Sequence, residues 1–419
     1  MVQKLVLLTT APKINATMKK PIIYQSTNNN KNDYVVVYLS LEKLSQEYLW
    51  DSALVGLPLA KITPVIFFEP PWENILGVIK NFKKWKQKRH LEKFVIKQRD
   101  IPQKMKIIRL YSFFPWGWKN YWISKINRLF VLLQIKWHIR KYPVSKRILL
   151  TYWRDSAEIL KKIPTHKRVY HCQDEIAGFP WPSEEAKNHA KKEEAKVAKT
   201  VDLVLVTSPT LVEPMSKYNK NVKVLANDVV DFEFYNKGLS MPPPKELENL
   251  PKPIVGYIGS LSKFKQDFDL IDKIASKLSN WSFVIIGPCL VDTKGFHELP
   301  QKKNLIYSGP RMREEIPRYI NAFDVCIIPH KLNLYNQHSF PMKFFEYLAL
   351  GKPVVATDMP ALRAYKKYVY IAKNAEEFVK YLKLALEEDS PEKQKERIKF
   401  ASAHSWKNRG PKILKLLLE

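Results

Sequence analysis

HSFPMKFFEYLALGKPVVATD, residues 338–358, combines a one-sided helical pattern, a glycine and a short apolar run. Ser339 is a common helix-capping residue and Pro341 suits a first helical turn, so a helix is predicted to begin there. Its apolar residues recur at three- and four-residue spacing, and Gly351 predicts its end. The run PVVAT that follows predicts a strand buried on both faces.

Similar apolar runs alternate with helical stretches along the chain, which is typical of a doubly wound parallel sheet. The first series of predicted strands occupies residues 34–40, 64–69, 105–111, 147–152, 167–172, 202–207 and 222–226. The second series occupies residues 253–259, 282–288, 304–310, 325–330, 353–358 and 368–372. The fold class is therefore predicted as α/β, with two Rossmann-like domains in tandem. Their ligands should bind beyond the carboxyl ends of the strands.

The predicted organisation starts with a loose lead-in, residues 1–33, followed by a first domain, residues 34–235. A proline-rich linker, residues 236–252, separates it from a second domain, residues 253–400. Cys172, Cys289 and Cys326 show no pairing or metal spacing, so they are predicted to be reduced thiols of a cytoplasmic protein. The apolar core of the first residues is too short for a signal peptide, and no apolar window is long enough to span a bilayer.

The start of the helix after residue 338 predicts an anion site, because free N–H groups should face the cleft there. His338, Ser339 and Lys343 add donors or positive charge. One turn deeper, the carboxylate of Glu346 can accept two vicinal ribose hydroxyls. A bound nucleotide sugar fits this arrangement. The alternative is an amphipathic helix with a good cap and a surface glutamate.

The stretch resembles the nucleotide-binding segment of GT-B glycosyltransferases, specifically the bacterial group-1, family-four type. Glu346 matches the second glutamate of that family, and ALGKPVVATD (349–358) matches its tail. The resemblance implies that Glu346 binds the nucleotide ribose. His338 occupies the position of the first glutamate, as in inverting plant-type members, which implies contact with the diphosphate. Retaining or inverting stereochemistry stays open.

Other segments carry the same resemblance. GYIGSLSKFK (256–265) is similar to a glycine turn, which assigns Gly259, Ser260 and Lys265 to the phosphates, although the family often has arginine at position 260. Residues 307–333, with Arg311, are similar to the segment that lines the base pocket. Residues 401–419 resemble a closing helix that crosses back onto the first domain. Residues 170–180 and 202–215 are similar to cell-envelope polysaccharide transferases of the teichuronic-acid type.

A catalytic base, if the reaction is inverting, should come from the first domain. Asp174 and Glu175 follow a predicted strand and should lie at the cleft rim, with His171 nearby; His338 is the third catalytic candidate. A helix-capping aspartate and a solvated glutamate are the alternative. Asp155 is a weaker candidate.

The chain has 70 Lys and Arg against 41 Asp and Glu, a formal charge of +29. Such an excess indicates an anionic partner: a nucleic acid, a phospholipid surface or a phosphorylated substrate. A lysine-rich proteome is the simpler explanation for part of it. Residues 80–141 hold 18 of these cations and five tryptophans. This composition predicts contact with an anionic membrane through Lys83, Lys84, Lys86, Lys88, Trp116, Trp118 and Trp122. The alternatives are a solvated helix face and a core aromatic cluster.

These patterns together predict a transferase that moves a sugar from UDP or GDP to a lipid-linked or polysaccharide acceptor. It should work without a metal or other cofactor, in the cytoplasm and peripherally on the inner membrane face. An epimerase or hydrolase of the same fold is the first alternative. A nucleic-acid binder that uses the basic stretch is the second, and no motif for it accompanies the cations.

Overall fold

Two parallel sheets organise the computed structural model, which describes residues 34–45, 51–97, 101–115, 120–289 and 302–419. The strands of the first sheet are β1 (Val35–Leu39), β2 (Val65–Asn74), β3 (Met105–Ser112), β4 (Arg147–Thr151), β5 (Lys167–Cys172), β6 (Leu203–Val206) and β7 (Val222–Val224). The strands of the second sheet are β8 (Ile254–Ile258), β9 (Ser282–Ile286), β10 (Leu305–Tyr307), β11 (Val325–Ile328), β12 (Val354–Thr357) and β13 (Tyr370–Ala372). The predicted lead-in, residues 1–33, lies outside the described residues.

The strand orders are those of doubly wound sheets, β3-β2-β1-β4-β5-β6-β7 and β10-β9-β8-β11-β12-β13. Every residue of β1, β4, β6, β8, β9, β11 and β12 is buried, as their unbroken apolar runs predict. The predicted α/β fold with two Rossmann-like sheets is confirmed. We call the part of the chain around the first sheet the N-terminal lobe and the part around the second sheet the C-terminal lobe.

The helices cover both faces of these sheets. They are α1 (Asp51–Ile62), α2 (Ile75–Lys80), α3 (Phe82–Lys97), α4 (Tyr121–Ile139), α5 (Ala157–Lys161), α6 (Glu184–Thr200), α7 (Val212–Ser216), α8 (Phe232–Asn236), α9 (Lys245–Glu248), α10 (Phe268–Lys277), α11 (Ile316–Ala322), α12 (Leu334–His338), α13 (Lys343–Leu348), α14 (Ala375–Glu387), α15 (Pro391–Ala403) and α16 (Gly410–Leu418). Among the described residues, none of these helices is long and apolar enough to cross a membrane.

The proline-rich stretch 236–252 differs from the irregular chain that its sequence predicts. It contains α9 and a 3-10 turn at Lys237–Ser240, and Leu247 is buried in the core of the C-terminal lobe. Gly238 touches α11, where an added Cβ would lie 2.6 Å from the Pro317 carbonyl oxygen. This stretch is therefore packed along the C-terminal lobe.

The last helix, α16, packs on the N-terminal lobe. Its Ile413 and Leu417 are buried in one core cluster with residues of β1 and α1. An added Cβ on Gly410 would lie 2.5 Å from the Pro58 carbonyl oxygen, so α16 and α1 are in close contact.

The loops at the carboxyl ends of the strands bring the two lobes together. Gly178 follows β5 and lies against α12, where an added Cβ would be 2.5 Å from the Tyr335 backbone nitrogen. Thr210 Oγ1 follows β6 and donates to the Gln337 carbonyl oxygen at 3.3 Å. These contacts place the carboxyl ends of both sheets on one interlobe cleft.

Candidate functional site

The helix predicted from residue 339 begins later than its sequence indicates. Residues 334–338 form α12, Ser339 ends that helix, and α13 starts at Lys343 with Met342 before it. The predicted cap at Ser339 is therefore wrong, because the Ser339 hydroxyl faces the N-terminal lobe instead. Gly351 ends the helical segment with φ of +72°, as predicted. Since α13 has six residues, we assign the local positive charge to side chains rather than to a helix dipole.

Glu346 lies half-buried on α13 within a set of polar side chains. Burial raises the pKa of its carboxyl, while Lys343, a hydrogen bond with Tyr235 and the charge of Arg313 act in the opposite direction. Arg313 is itself fixed by Asp231, 3.0 Å from its guanidinium. A carboxylate held in this way can accept hydrogen bonds from ligand hydroxyls.

Lys343 lies beside the glycine turn that follows β8. Gly259 has φ of +152°, and an added Cβ there would lie 3.1 Å from Lys343 Cε and 3.2 Å from Lys343 Nζ. A side chain at position 259 would therefore be strained and would push against the lysine. Burial lowers the pKa of Lys343, and Glu346 partly restores it. Ser260 is exposed at the same turn.

Lys265 and two histidines extend this cationic side of the cleft. Lys265 Nζ lies 4.9 Å from the centroid of the Tyr335 ring, on α12. His330 is 6% exposed, and its Nε2 lies 3.4 Å from Gln266 Nε2. The Nδ1 atoms of His330 and His338 are buried and have no hydrogen-bond partner among the described residues. Both imidazoles therefore have a polar atom available for a ligand.

Asp174 and Glu175 diverge at the end of β5. Ser339 Oγ donates to Asp174 Oδ1 at 3.3 Å, and Tyr335 is a second hydrogen-bond partner. Burial raises the pKa of Asp174, against the charge of Lys265. Glu175 Oε1 accepts from the Ala177 N–H at 2.9 Å, so it caps the 3-10 turn Ile176–Gly178. Asp174 is the carboxylate that faces the other lobe.

The secondary candidates lie elsewhere. His171 is buried within β5 beside Tyr152, and burial lowers its pKa to about 3, so it is a neutral core residue and not part of the cleft rim. Asp155 is exposed and precedes Ser156, the N-cap of α5. Arg311 donates to Tyr319 Oη at 2.6 Å and lies 3.3 Å from Glu246, so it ties α9 to α11.

Sequence reasoning missed three residues of the Glu346 cluster. Arg313, rather than Arg311, is the arginine whose charge acts on Glu346. Tyr235 and Asp231 come from residues 225–235, at the end of the predicted first domain, a stretch that resembles a turn of the same family but to which the resemblance assigns no ligand. The segment 307–333, which is similar to the segment lining the base pocket, contains both Arg311 and Arg313, and the resemblance does not indicate which of them lies near Glu346.

The basic aromatic region divides between two helices. Lys83, Lys84 and Lys86 are exposed on α3, whereas Lys88 lies 2.8 Å from Glu73 and is already paired. Trp116 and Trp118 lie outside the described residues. Trp122 is 66% exposed at the start of α4.

One face of α4 is apolar and uncovered within the described part of the chain. Its exposed residues recur at three- and four-residue spacing and are between 46% and 66% exposed: Trp122, Ile126, Leu129, Leu133 and Trp137. We call this set the exposed α4 face. The opposite face packs on β2 and β3 through Val131, Leu132, Ile135 and Ile139. A single buried face is the rule for surface helices, so the second apolar face needs its own explanation.

Comparison with known proteins bears first on the C-terminal lobe. Residues 252–388 match the model of the family described as glycosyl transferases group 1. The matched range contains β8 to β13, Lys343 and Glu346. This match confirms the resemblance carried by residues 338–358.

A curated relative extends the comparison. Over 213 residues the chain is 32% identical to TuaH of Bacillus subtilis (strain 168), whose provisional name is teichuronic acid biosynthesis glycosyltransferase. The alignment covers 48% of this chain and 53% of that protein, so the match spans about half the length of the relative.

Two solved structures share the architecture. Anabaena Alr3699/HepE in complex with UDP-glucose has a TM-score of 0.62 at 16% identity, covering 92% of this chain and 99% of that one. Sucrose-phosphate synthase from Thermosynechococcus elongatus has a TM-score of 0.60 at 13% identity, covering 91% and 98%. The chain therefore has the predicted GT-B fold.

Proposed function

We propose that this chain is a glycosyltransferase that moves a hexose from UDP or GDP to a lipid-linked or polysaccharide acceptor of the cell envelope. The observation that carries the proposal is the Glu346 and Lys343 pair beside Gly259, at the carboxyl edge of the C-terminal sheet. The group 1 family match and the likeness to TuaH support a sugar-transfer reaction. The UDP-glucose in the HepE structure supports a nucleotide-sugar donor.

In this proposal the C-terminal lobe binds the donor. Glu346 accepts both ribose hydroxyls, while Lys343, Lys265 and His338 bind the diphosphate. Their charges stabilise the diphosphate as it leaves the sugar, which lowers the barrier to transfer. Ser260 offers its backbone N–H to the phosphates, whereas the Gly259 N–H is not available because it donates to the Ile286 carbonyl oxygen at 2.9 Å. We keep as a prediction that no metal is needed.

The N-terminal lobe supplies the acceptor side of the cleft. Asp174 is the only one of the two predicted carboxylates that faces the C-terminal lobe, and its hydrogen bond with Ser339 holds it near the donor residues. In an inverting reaction Asp174 would take the proton from the acceptor hydroxyl as it attacks the sugar. In a retaining reaction it would orient the acceptor instead.

The diphosphate assignment predicts a difference between two nucleotides. His338→Ala and Lys343→Ala should each weaken UDP binding about tenfold or more, since each removes a charge-assisted contact of about 1.5–3 kcal/mol. UMP binding should change less than about threefold, because UMP lacks the outer phosphate. Isothermal titration calorimetry measures both affinities; GDP and GMP replace the uridine pair if the base is guanine.

Lys380→Ala is the matched control for this experiment, because Lys380 is an exposed lysine on α14 of the same lobe. It should bind both nucleotides as the wild type does. Equal losses of UDP and UMP affinity in the two site variants would show that His338 and Lys343 support the fold rather than bind phosphate.

We also propose that the exposed α4 face docks on the inner face of an anionic membrane. Lys125 Nζ lies 5.4 Å from the Trp122 ring centroid, and the Arg140 guanidinium lies 3.4 Å from that of Trp137. Aromatic rings paired with cations are suited to the interface between headgroups and acyl chains. Lys83, Lys84 and Lys86 add attraction of about 1 kcal/mol per cation near the surface.

The membrane proposal predicts that Leu129→Glu combined with Leu133→Glu abolishes sedimentation with phosphatidylglycerol vesicles. Two carboxylates on this face would repel the headgroups and cannot enter the apolar layer. Leu239→Glu with Leu418→Glu is the control, because both leucines are exposed away from α4. Wild-type protein should bind neutral vesicles weakly and should lose most binding at high salt. Full sedimentation of the α4 variant would refute the docking face.

A further inference from the structure

A groove of about 990 Å³ runs along α3 in the N-terminal lobe. Its basic lining residues are Lys83, Lys86, Arg89, His90 and Lys93. Lys83, Lys86, His90 and Lys93 recur at three- and four-residue spacing, so they lie on one side of the helix. We call this feature the basic groove. Its volume is far larger than a single ion needs.

The acidic residues around the basic groove are already neutralised. An ion-pair network beside it, buried except for the exposed Lys88, contains Glu69, Glu73, Glu92, Lys43, Lys88 and Arg109. Arg109 alone contacts all three carboxylates, at distances from 2.6 to 3.5 Å. Three negative charges thus meet three positive charges, and the network balances.

The lysines of the basic groove are therefore left without a carboxylate partner. Lys83, Lys86 and Lys93 have no carboxylate within ion-pair distance in the described part of the chain, and Arg89 reaches only Glu92, at 3.6 Å. The buried network also anchors α3 to β2 and β3 through Glu92 and Arg109, so the groove is preorganised. Lysines without a carboxylate partner, carried on an anchored helix, are suited to a multiply charged anion.

The surroundings of the basic groove are apolar and exposed. Ile79 is 68% exposed and Phe82 is 57% exposed, where α2 leads into α3. On another side Tyr111 lines the groove. Its backbone N–H donates to Gln134 Oε1 of α4 at 3.1 Å, and Gln134 Nε2 donates to the Tyr111 carbonyl oxygen at 2.8 Å. The groove thus adjoins α4, the helix with the exposed apolar face. A ligand that suits both surfaces carries several negative charges and a hydrocarbon chain.

The basic groove and the interlobe cleft lie at the same edge of the N-terminal sheet. Glu73 of β2 pairs with Tyr111 of β3 at the carboxyl ends of these strands, and α2 and α3 follow directly. Because the sheet is parallel, this is the same edge from which Asp174 extends after β5.

We propose that the basic groove binds the diphosphate of a lipid-linked acceptor, whose hydrocarbon chain continues onto the exposed α4 face. The inference rests on the proposed function and specifies the acceptor as lipid-borne rather than a free polysaccharide. Lysines and an arginine bind the diphosphate oxygens, which carry more charge than the single phosphodiester of a bulk lipid. The sugar end of the acceptor then extends along the sheet edge towards Asp174.

The test uses farnesyl diphosphate, a water-soluble probe with a diphosphate and a hydrocarbon chain, titrated in the presence of saturating UDP. Saturating UDP occupies the donor site, so that the probe reports on other sites. The wild type should bind the probe and should not bind farnesol. The triple variant Lys83→Gln, Lys86→Gln, Lys93→Gln should lose at least tenfold in affinity for it. The triple variant Lys191→Gln, Lys192→Gln, Lys220→Gln removes the same charge from exposed lysines elsewhere in the N-terminal lobe and should keep wild-type affinity.

Three results would overturn the assignment: no binding of the probe to the wild type, equal affinity in both triple variants, or displacement of the probe by phosphatidylglycerol at the same lipid concentration at which unlabelled farnesyl diphosphate displaces it. The last result would show a surface for bulk anionic lipid. UDP affinity is measured in the same samples. If the protein binds UDP but not the probe, the diphosphate site in the basic groove is contradicted and the proposed function is not. If it binds the probe but neither UDP nor GDP, the proposed function is contradicted.

Discussion

Glu346→Ala is expected to lower nucleotide affinity by about 100-fold or more. Hydrogen bonds to a charged group contribute about 1.5–3 kcal/mol each, and this carboxylate should accept two of them from the ribose. The loss should be similar for UDP and UMP, since both carry the ribose, which separates this residue from His338 and Lys343. Calorimetry with the four nucleotides UDP, UMP, GDP and GMP measures the effect.

Two further variants show whether the loss is local. Glu346→Gln keeps an acceptor for the Tyr235 hydroxyl, so its thermal unfolding should stay near that of the wild type while nucleotide binding is still weakened. Glu387→Ala removes an exposed glutamate from α14 and should bind nucleotide normally. Wild-type affinity in Glu346→Ala would remove the ribose assignment.

Asp174→Asn is expected to reduce kcat by about 10²–10⁴ if Asp174 is the base, because general-base catalysis contributes about that much. The asparagine oxygen still accepts from Ser339, so UDP affinity should remain within about threefold. Glu175→Gln keeps the cap on Ala177 and should lower kcat only slightly. Steady-state kinetics and UDP titration on the three proteins measure this. A larger loss in Glu175→Gln than in Asp174→Asn would reverse the assignment.

The pH dependence of kcat provides a separate test of Asp174 as the catalytic base. A base works only when deprotonated, so the rate should fall as pH falls through the pKa of Asp174. Burial raises that pKa from its ordinary value near 3.8, so the acid limb should lie higher than for a solvated aspartate. Asp174→Asn should lose this limb from whatever activity remains.

The fold was predictable because parallel strands are buried on both faces. A run such as VVVYL in β1 has no polar position to confuse its assignment, and each of the thirteen predicted runs overlaps a strand of the described structure, although β2 continues to Asn74, beyond the predicted end at residue 69. The exact start of α13 was not predictable, because Ser339 and Pro341 fit a helix start by type. In the structure the Ser339 hydroxyl bonds to Asp174 from the other lobe, and no local pattern encodes such a contact.

The same limit applies to the charged residues. Asp174 and Glu175 are adjacent, and only the turn at Ile176–Gly178 determines that the glutamate caps while the aspartate faces the cleft. Lys86 and Lys88 look equivalent in sequence, yet Lys88 lies 2.8 Å from Glu73, and Lys86 lines the basic groove. Pairing across 15 residues depends on how α3 packs against β2.

The measurement that tests the central claim most directly is the fate of a labelled sugar. UDP- and GDP-hexoses, labelled in the sugar, are incubated with the purified protein and a bacterial membrane extract, and the products are separated and their linkages determined. The account predicts that one donor transfers its label to an extractable lipid or a polymer, with release of the nucleoside diphosphate, and that Glu346→Ala fails to do so. Label recovered only as free sugar or as an epimer of the donor, or equal transfer by Glu346→Ala, would contradict it.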